Sequence, residues 1–148
     1  MSKNEDSVIS GAIHKSESKI QQEIAMYYRN AFCLKHHSPR CMLFSIPNES
    51  NEHKAMTLTM TGLYPGCADI AVWHKWKHPF HDYETHTNFY IKMQFLFFEV
   101  KSPDNKSGPR KNGQSQKQID FEDHCIAMGI PYHLVTSCDQ FKAILGNL

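Results

Sequence analysis

Apolar residues recur along this chain at the spacings of amphipathic helices and short strands. From Glu17 to Lys35 they follow the three- and four-residue spacing of a helix with one buried face, and Ser16 before them fits an N-cap. The same rules predict helices over 52–60, 115–128 and 137–145, and strands over 41–46, 68–73, 89–100 and 132–136. This order of elements predicts an α/β protein in which helices flank a small mixed β-sheet.

Polar segments interrupt the chain without dividing it into several domains. Residues 1–14 are polar and mixed in charge, so we expect a flexible N-terminal tail, followed by a single domain over 15–148. Residues 74–90 are polar, aromatic and rich in histidine, and we expect them to form an inserted loop or hairpin. Residues 102–113 contain Pro, Gly, Asn and Ser, and are expected to form a mobile loop.

Composition narrows the classes of protein to which the chain can belong. Sixteen Lys and Arg against fifteen Asp and Glu give a formal net charge of +1, so any nucleic-acid contact must come from local clusters of charge. No apolar run approaches the roughly 20 residues of a membrane span. The N-terminus lacks the basic start and apolar run of a secretion signal. We therefore expect an intracellular protein with no membrane partner. The five scattered cysteines do not fit a disulfide framework.

Two acidic residues stand at the ends of predicted strands. Glu99 and Lys101 end the apolar run 95–98, and the two-residue period of a strand places both side chains on one face. Asp69 follows a turn and begins another strand. Each alone fits a structural role, as a Glu–Lys ion pair or as an aspartate that caps a turn. Together, two carboxylates at the same end of a sheet suit a hard cation that promotes phosphodiester hydrolysis, with a lysine to assist.

The spacing Asp69…Glu99-Val100-Lys101 resembles the Asp…Glu-x-Lys core of the PD-(D/E)XK nuclease superfamily. Other motifs occur around it in order: Glu17-Ser-Lys-Ile-Gln21, Ser45-Ile-Pro-Asn48, Gly62-Leu-Tyr-Pro-Gly66, Ser115-Gln-Lys-Gln118 and Gly129-Ile-Pro131. This set is similar to the VRR-NUC nuclease family, particularly its small stand-alone members in phages and bacteria, over residues 16–145. The resemblance implies a restriction-endonuclease-like fold.

The resemblance also implies the roles of the central residues. Asp69 and Glu99 would be ligands of a Mg²⁺ or Mn²⁺ ion, and the backbone carbonyl of Val100 would add a further oxygen. Lys101 would be the catalytic lysine. The segment between Asp69 and Glu99 is longer than a simple hairpin requires, and the family supplies no role for the His-rich part of it.

Two polar residues at helix starts complete the implied site. Glu17 matches a first-helix glutamate that binds the metal directly or through water, and Gln118 matches a catalytic-site glutamine of a later helix. Both have simpler explanations, because an acid in a first helical turn gains about 0.3–1 kcal/mol from the helix dipole, and Ser115-x-x-Gln118 is a capping box. Glu23 is the alternative acid, but its position fits the family motif less well.

The activity implied by the resemblance is that of a structure-specific DNA endonuclease. Stand-alone relatives are regarded as homodimers that cut four-way junctions, and paired cuts suit a symmetric dimer. A nicking or flap nuclease with the same chemistry is an alternative, and a catalytically silent nucleic-acid-binding module is another. The expected location is the cytoplasm of a bacterial or phage-infected cell, or the nucleus of a eukaryotic one.

Two further segments are candidates for binding. The chain after Lys101 is basic and contains Lys106, Arg110, Lys111 and Lys117. A basic segment beside a nuclease site would bind the phosphates of the DNA backbone. The segment 74–90 contains four histidines and several aromatic residues. Their spacing matches no zinc pattern, so we favour a flap that contacts substrate or a dimer contact over a zinc site.

Overall fold

The fold is described by a computed structural model over residues 15–34, 41–47, 64–79, 84 and 89–147. Within these ranges it is a mixed α/β structure with one four-stranded sheet and three α-helices. In chain order the elements are α1 (Glu17–Tyr28), a π-helical turn (Arg29–Cys33), β1 (Met42–Ser45), β2 (Ile70–Pro79), β3 (Phe89–Val100), α2 (Gln116–Ala127), β4 (Tyr132–Val135) and α3 (Cys138–Asn147). The tail 1–14 and the helix predicted over 52–60 lie outside the described residues.

Side chains at the predicted helix starts cap α1 and α2. The Ser16 hydroxyl accepts a hydrogen bond from the backbone N–H of Lys19, and Ser115 and Gln118 form a reciprocal capping box. Leu34 N–H donates to the carbonyl of Arg29, five residues earlier, which closes the π-helical turn after α1. The described helices have at most 12 residues, and none of them is long and apolar enough to cross a membrane.

The sheet has the strand order β1-β2-β3-β4 and is mixed. β1 pairs with β2 and β2 with β3 in antiparallel orientation, whereas β3 and β4 are parallel. The long β2–β3 ladder runs from Ile70 opposite Phe98 to Pro79 opposite Phe89. Residues 74–79, predicted to belong to an inserted loop or hairpin, are strand and pair with 89–94, which agrees with the hairpin alternative and not with the loop. Within 80–88 only Glu84 is described.

Helices cover the sheet on both faces. Ile20, Ile24 and Tyr28 of α1 belong to the main core with Phe141 and Leu145 of α3 and alternate residues of the sheet, among them Val72, Leu96, Phe98, Val100 and Val135. A smaller cluster joins Phe121 and Cys125 of α2 to Ala68, with Phe97 and Tyr132 packed against it. Since Phe97 and Phe98 point to opposite faces, β3 is buried on both sides, as its apolar sequence predicts.

His74 belongs to the core rather than to a binding flap. Its side chain is 3% exposed, and its Nδ1 lies 2.9 Å from the Tyr28 hydroxyl. The ring contacts Phe32 and Trp76, and the Trp76 indole N–H donates to the carbonyl of Leu145 at 3.0 Å. Burial lowers the pKa of His74 to about 4, so the ring is neutral near pH 7. These contacts exclude His74 and Trp76 from the predicted flap.

All five cysteines are free thiols. Cys41 and Cys125 are buried and belong to the two apolar clusters, while Cys33, Cys67 and Cys138 are partly buried against them. This placement agrees with their interpretation as small packing residues.

Candidate active site

Asp69 and Glu99 lie side by side because β2 and β3 pair in one register. Ile70 is opposite Phe98, so the residue before β2 is adjacent to the penultimate residue of β3. The backbone N–H of Val100 donates to Oδ2 of Asp69 at 2.8 Å. The exposed fractions are 4% for Asp69, 0% for Glu99 and 7% for Lys101. The sheet therefore brings together the three charged residues predicted from the motif and shields them from bulk water.

The two carboxyl oxygens of Glu99 have different partners. Oε1 accepts hydrogen bonds from the Lys101 ammonium, at 2.7 Å, and from the side-chain amide of Gln118. Oε2 lies 3.5 Å from the Tyr132 hydroxyl. The ion pair considered as a structural role for Glu99 and Lys101 is thus present, and it lies inside the acidic cluster rather than on the surface.

The environment of Glu99 favours its protonated form. Burial is the largest cause, and the negative charge of Asp69 is the next. Lys101 opposes both by hydrogen bond and charge, and Glu17 adds a smaller repulsion. The net effect raises the pKa of Glu99 to about 7. Two buried carboxyl groups that repel each other are an arrangement that a bound cation would relieve.

Glu17 lies at the border of this cluster. Its Oε1 accepts hydrogen bonds from the backbone N–H of Ser102 at 3.1 Å and from the Asn105 amide at 3.4 Å. It therefore links the start of α1 to the segment after Lys101, and its charge reaches Glu99. Glu23, the alternative acid, instead pairs with Lys15 at 2.9 Å.

Gln118 completes the predicted capping box and also contacts the acidic cluster, while its catalytic role stays a prediction. Its Oε1 accepts from the backbone N–H of Ser115 at 2.9 Å, which completes the capping box, and its Nε2 donates to Glu99. The side-chain amide of Gln118 therefore both caps the N-terminus of α2 and contacts the acidic cluster. Gly66 allows α2 to lie this close, because a Cβ atom there would stand 2.3 Å from the carbonyl oxygen of Lys117.

Two contacts of the cluster were missed by sequence reasoning. Tyr132 reaches Glu99 from β4, and the buried amide of Gln114 donates to the Tyr132 hydroxyl at 3.3 Å. Tyr132 is opposite Phe97 in the parallel β3–β4 ladder, two residues from Glu99 on the same face. A register between strands separated by a helix carries no local sequence signal. The position of Gln114, just before a helix N-cap, suggested only a loop.

The donor set determines which cation the site could hold. Carboxylates of Asp69 and Glu99 and the backbone carbonyl of Val100 are hard oxygen ligands, which suit Mg²⁺ or Mn²⁺ better than softer metals. Across the described ranges, no group of three or more His, Cys, Asp and Glu side chains is arranged to hold a metal ion. Glu17, whose charge acts on Glu99, stays predicted as a further ligand that binds directly or through water.

The segment after Lys101 is folded rather than open. The backbone N–H of Gly113 donates to the carbonyl of Ser107 at 2.9 Å, and that of Lys111 to Gly108 at 3.1 Å. The predicted loop is confirmed, since 102–113 contain turns but no helix or strand, and it packs closely enough that a Cβ at Gly113 would lie 3.1 Å from Cδ of Lys101.

The predicted DNA-binding residues differ in their surroundings. Lys106, Lys111 and Lys117 are exposed. Arg110 is also exposed, but its guanidinium bridges Glu122 at 2.9 Å and Asp123 at 3.1 Å on α2. An exposed pair of this kind contributes about 0–1 kcal/mol. Arg110 can therefore exchange these partners for another anion at little cost in stability.

Comparison with known proteins gives no relative. No family model matches the chain, and neither a curated protein nor a solved structure matches it.

Proposed function

We propose that this chain is a divalent-metal-dependent DNA endonuclease with a restriction-endonuclease-like core, similar to the small VRR-NUC nucleases. The observation that carries the proposal is the burial of Asp69, Glu99 and Lys101 together at one end of the β2–β3 ladder. A buried acidic pair beside a lysine is costly to maintain. Its agreement with the Asp…Glu-x-Lys spacing supports a catalytic site over a purely structural ion pair.

The residues of the cluster divide the chemistry among them. Asp69, Glu99 and the Val100 carbonyl would hold Mg²⁺ or Mn²⁺, which supplies a Lewis acid and activates water for attack on a phosphodiester. Lys101, 2.7 Å from Glu99, places a positive charge where it can stabilise the crowded phosphate oxygens. The side-chain amide of Gln118 donates a hydrogen bond to the same oxygen of Glu99, Oε1. In-line attack would release 5′-phosphate and 3′-hydroxyl ends.

The exposed lysines next to this cluster are the proposed DNA contacts. Lys106, Lys111 and Lys117 would pair with backbone phosphates, and Arg110 would join them after leaving Glu122 and Asp123. Such contacts carry no sequence information, so affinity should fall with salt and depend on DNA shape. A four-way junction cut by a homodimer is the proposed substrate, and a flap or nicked duplex is the alternative.

A silent nucleic-acid-binding module is the second candidate function. It is favoured by one observation, which is that the described residues contain no three-residue group suited to a metal. The intact Asp69, Glu99 and Lys101 favour the nuclease instead.

The decisive experiment measures Mn²⁺-dependent cleavage of four-way, flap and linear duplex DNA. Wild type is compared with Asp69→Ala and Lys101→Ala, and with Lys142→Ala as a control that removes an exposed lysine paired with Asp139. We expect both site variants to lose cleavage but keep DNA binding, and the control to match wild type. Binding without any cleavage by wild type would establish the silent module. Equal cleavage by all variants would remove the assigned site.

A further inference from the structure

A chain of side-chain hydrogen bonds leads from α2 to the acidic cluster. Glu122 Oε2 accepts from the amide of Gln114 at 2.8 Å, and the same amide nitrogen donates to the Tyr132 hydroxyl at 3.3 Å. The Tyr132 hydroxyl in turn reaches Oε2 of Glu99 at 3.5 Å. Gln114 is 1% exposed, so this polar side chain is buried solely among protein groups. A buried amide is tolerated only where its partners satisfy it.

The surroundings of Gln114 fix the direction of these hydrogen bonds. Its Oε1 accepts from the Asn112 amide at 2.7 Å, and Asn112 is itself oriented because its Oδ1 accepts from the Gln114 backbone N–H. An ionised Glu122 can only accept, so Gln114 must present its amide hydrogens on that side. The same NH₂ group faces Tyr132, whose oxygen therefore accepts from Gln114.

Because the Tyr132 oxygen accepts the hydrogen bond from Gln114, its own hydroxyl hydrogen remains available to donate to a second neighbour. Tyr132 has one O–H hydrogen, and the neighbour on its other side is Oε2 of Glu99. Lys101 and Gln118 both contact Oε1. Tyr132 is therefore the side chain that the described contacts place on the second oxygen of this carboxyl group.

We propose that Tyr132, oriented by Gln114, is a positioning residue that holds Glu99 in its metal-binding orientation. This inference rests on the proposed function, because it assigns a role toward a ligand of the proposed cation. Groups that orient a metal ligand through a hydrogen bond commonly change metal affinity or activity by about 10–100-fold when removed. Tyr132 acts through Glu99 and does not itself touch substrate.

The test compares Tyr132→Phe with wild type in two measurements. Phenylalanine removes only the oxygen and keeps the ring that packs against Phe121. We expect Mn²⁺ affinity, measured by electron paramagnetic resonance without DNA, to fall about tenfold. We expect kcat for cleavage to fall about tenfold while KM for DNA stays within about twofold, since binding of the DNA backbone does not involve Glu99.

Two further variants complete the test, one as a control for loss of a tyrosine hydroxyl elsewhere and one that removes the group that orients Tyr132. Tyr27→Phe removes a hydroxyl from α1, where Tyr27 packs against Phe32 and Phe141, and should leave both measurements unchanged. Gln114→Met keeps the side-chain length but not the amide, and should reproduce part of the Tyr132→Phe loss. Urea denaturation verifies that each variant is folded under the assay conditions.

The outcomes separate the inference from the proposed function. If wild type binds Mn²⁺ and cuts DNA but Tyr132→Phe equals it in both measurements, the positioning role is wrong and the nuclease proposal stands. If Tyr132→Phe raises KM alone, the hydroxyl contacts DNA and the positioning role is again wrong. If wild type neither binds Mn²⁺ nor cuts any DNA, the proposed function fails and this inference fails with it.

Discussion

Glu99 shows how a single side chain can be kept between two protonation states. Burial and the neighbouring Asp69 raise its pKa to about 7, and Lys101 opposes that shift. Near neutral pH the residue therefore lies close to its titration midpoint, so the presence or absence of one positive charge decides its state. The charge of Lys101 already contributes to this pKa, so a bound cation would add a second positive charge and favour the ionised form.

The first prediction concerns Lys101→Met in the metal-free protein. Removing one partner of a buried pair costs about 3–5 kcal/mol when the remaining charge cannot be neutralised. Glu99 can take up a proton, so we expect a loss of about 2 kcal/mol at pH 8 and a smaller loss at pH 6. Urea unfolding at the two pH values measures the difference. Glu99→Gln combined with Lys101→Met should recover most of the pH 8 loss, and equal losses at both pH values would contradict the argument.

The second prediction concerns His74, which is remote from the acidic cluster. Its folded pKa of about 4 lies below the ordinary value of 6.5, so the unfolded chain binds a proton that the folded one does not between these values. The stability due to the neutral ring is complete above pH 6.5 and is lost as pH falls toward 4. The full loss is at most about 3 kcal/mol.

Thermal unfolding of His74→Gln from pH 4 to pH 7 tests this sign, since these values bound the titration window. Wild type should lose stability as the pH falls through this range because His74 must take up a proton. The His74→Gln variant should not show that contribution. His124→Gln, which changes an exposed histidine of α2, should keep the wild-type slope. An unchanged slope in His74→Gln would show that another group causes the acid sensitivity.

At the scale of elements, the close approach of a turn to α2 determines where Gln118 lies. Gly66 has φ +77° and its missing side chain faces the backbone of Lys117 and Gln118, at 2.3 Å and 2.8 Å from a would-be Cβ. Gly129, after α2, has a similar φ of +70° but open space around it. The two glycines share a backbone conformation and differ in what surrounds them.

The third prediction uses this matched pair. Gly129→Ala carries only the left-handed backbone penalty, about 1–2 kcal/mol. Gly66→Ala carries the same penalty plus a backbone clash, so we expect a loss of about 3 kcal/mol or more and a larger fall in cleavage, since α2 must move Gln118 away from Glu99. Urea unfolding and cleavage rates of both variants measure this. Equal losses would show that the approach of the turn to α2 is not required.

The elements themselves were largely predictable, and the exception is informative. Helix spacing and capping residues predicted α1 and α2, and the apolar run predicted β3. The polar, histidine-rich composition after residue 73 predicts an inserted loop or hairpin and does not show that the strand itself continues to residue 79. Its order, His74-Lys75-Trp76-Lys77, nevertheless alternates, and His74 and Trp76 are the members that pack into the core. Histidine counts as polar by composition, but imidazole and indole rings both pack as aromatic rings once a hydrogen bond satisfies them.

For the whole molecule, sequence motifs indicated the centre of the site but not its surroundings. The central three residues were predictable from their positions in the chain. Glu99 and Lys101 lie on either side of the last residue of β3, and Asp69 lies immediately before β2, the strand that pairs with β3. Tyr132 and Gln114 were not, since their contacts depend on the parallel register of β3 and β4 and on the folding of the segment before α2. Long-range register is decided by packing of the complete sheet rather than by local sequence.

The fourth prediction concerns assembly. The part of the chain that the structure describes carries one acidic cluster, whereas the proposed resolution of a four-way junction requires two paired cuts, which a twofold-symmetric dimer supplies. We expect light scattering at micromolar concentration to give twice the 17.1 kDa of one chain. A mass of one chain, with or without junction DNA, would exclude the homodimer and favour a nicking or flap activity.

The length of the β2–β3 ladder has a practical consequence for engineering. The acidic cluster lies at one end, and β2 continues for 10 residues to Pro79, so the opposite end is about 30 Å away. Register at the cluster is set by the pairs nearest to it, beginning with Ile70 and Phe98. Replacement of 80–88 by a fluorescent tag should therefore leave the pairing of Ile70 with Phe98, and with it the acidic cluster, unchanged. If the proposed nuclease activity is then lost while the fold is kept, the replaced segment contacts substrate or a second chain, as its aromatic composition predicts.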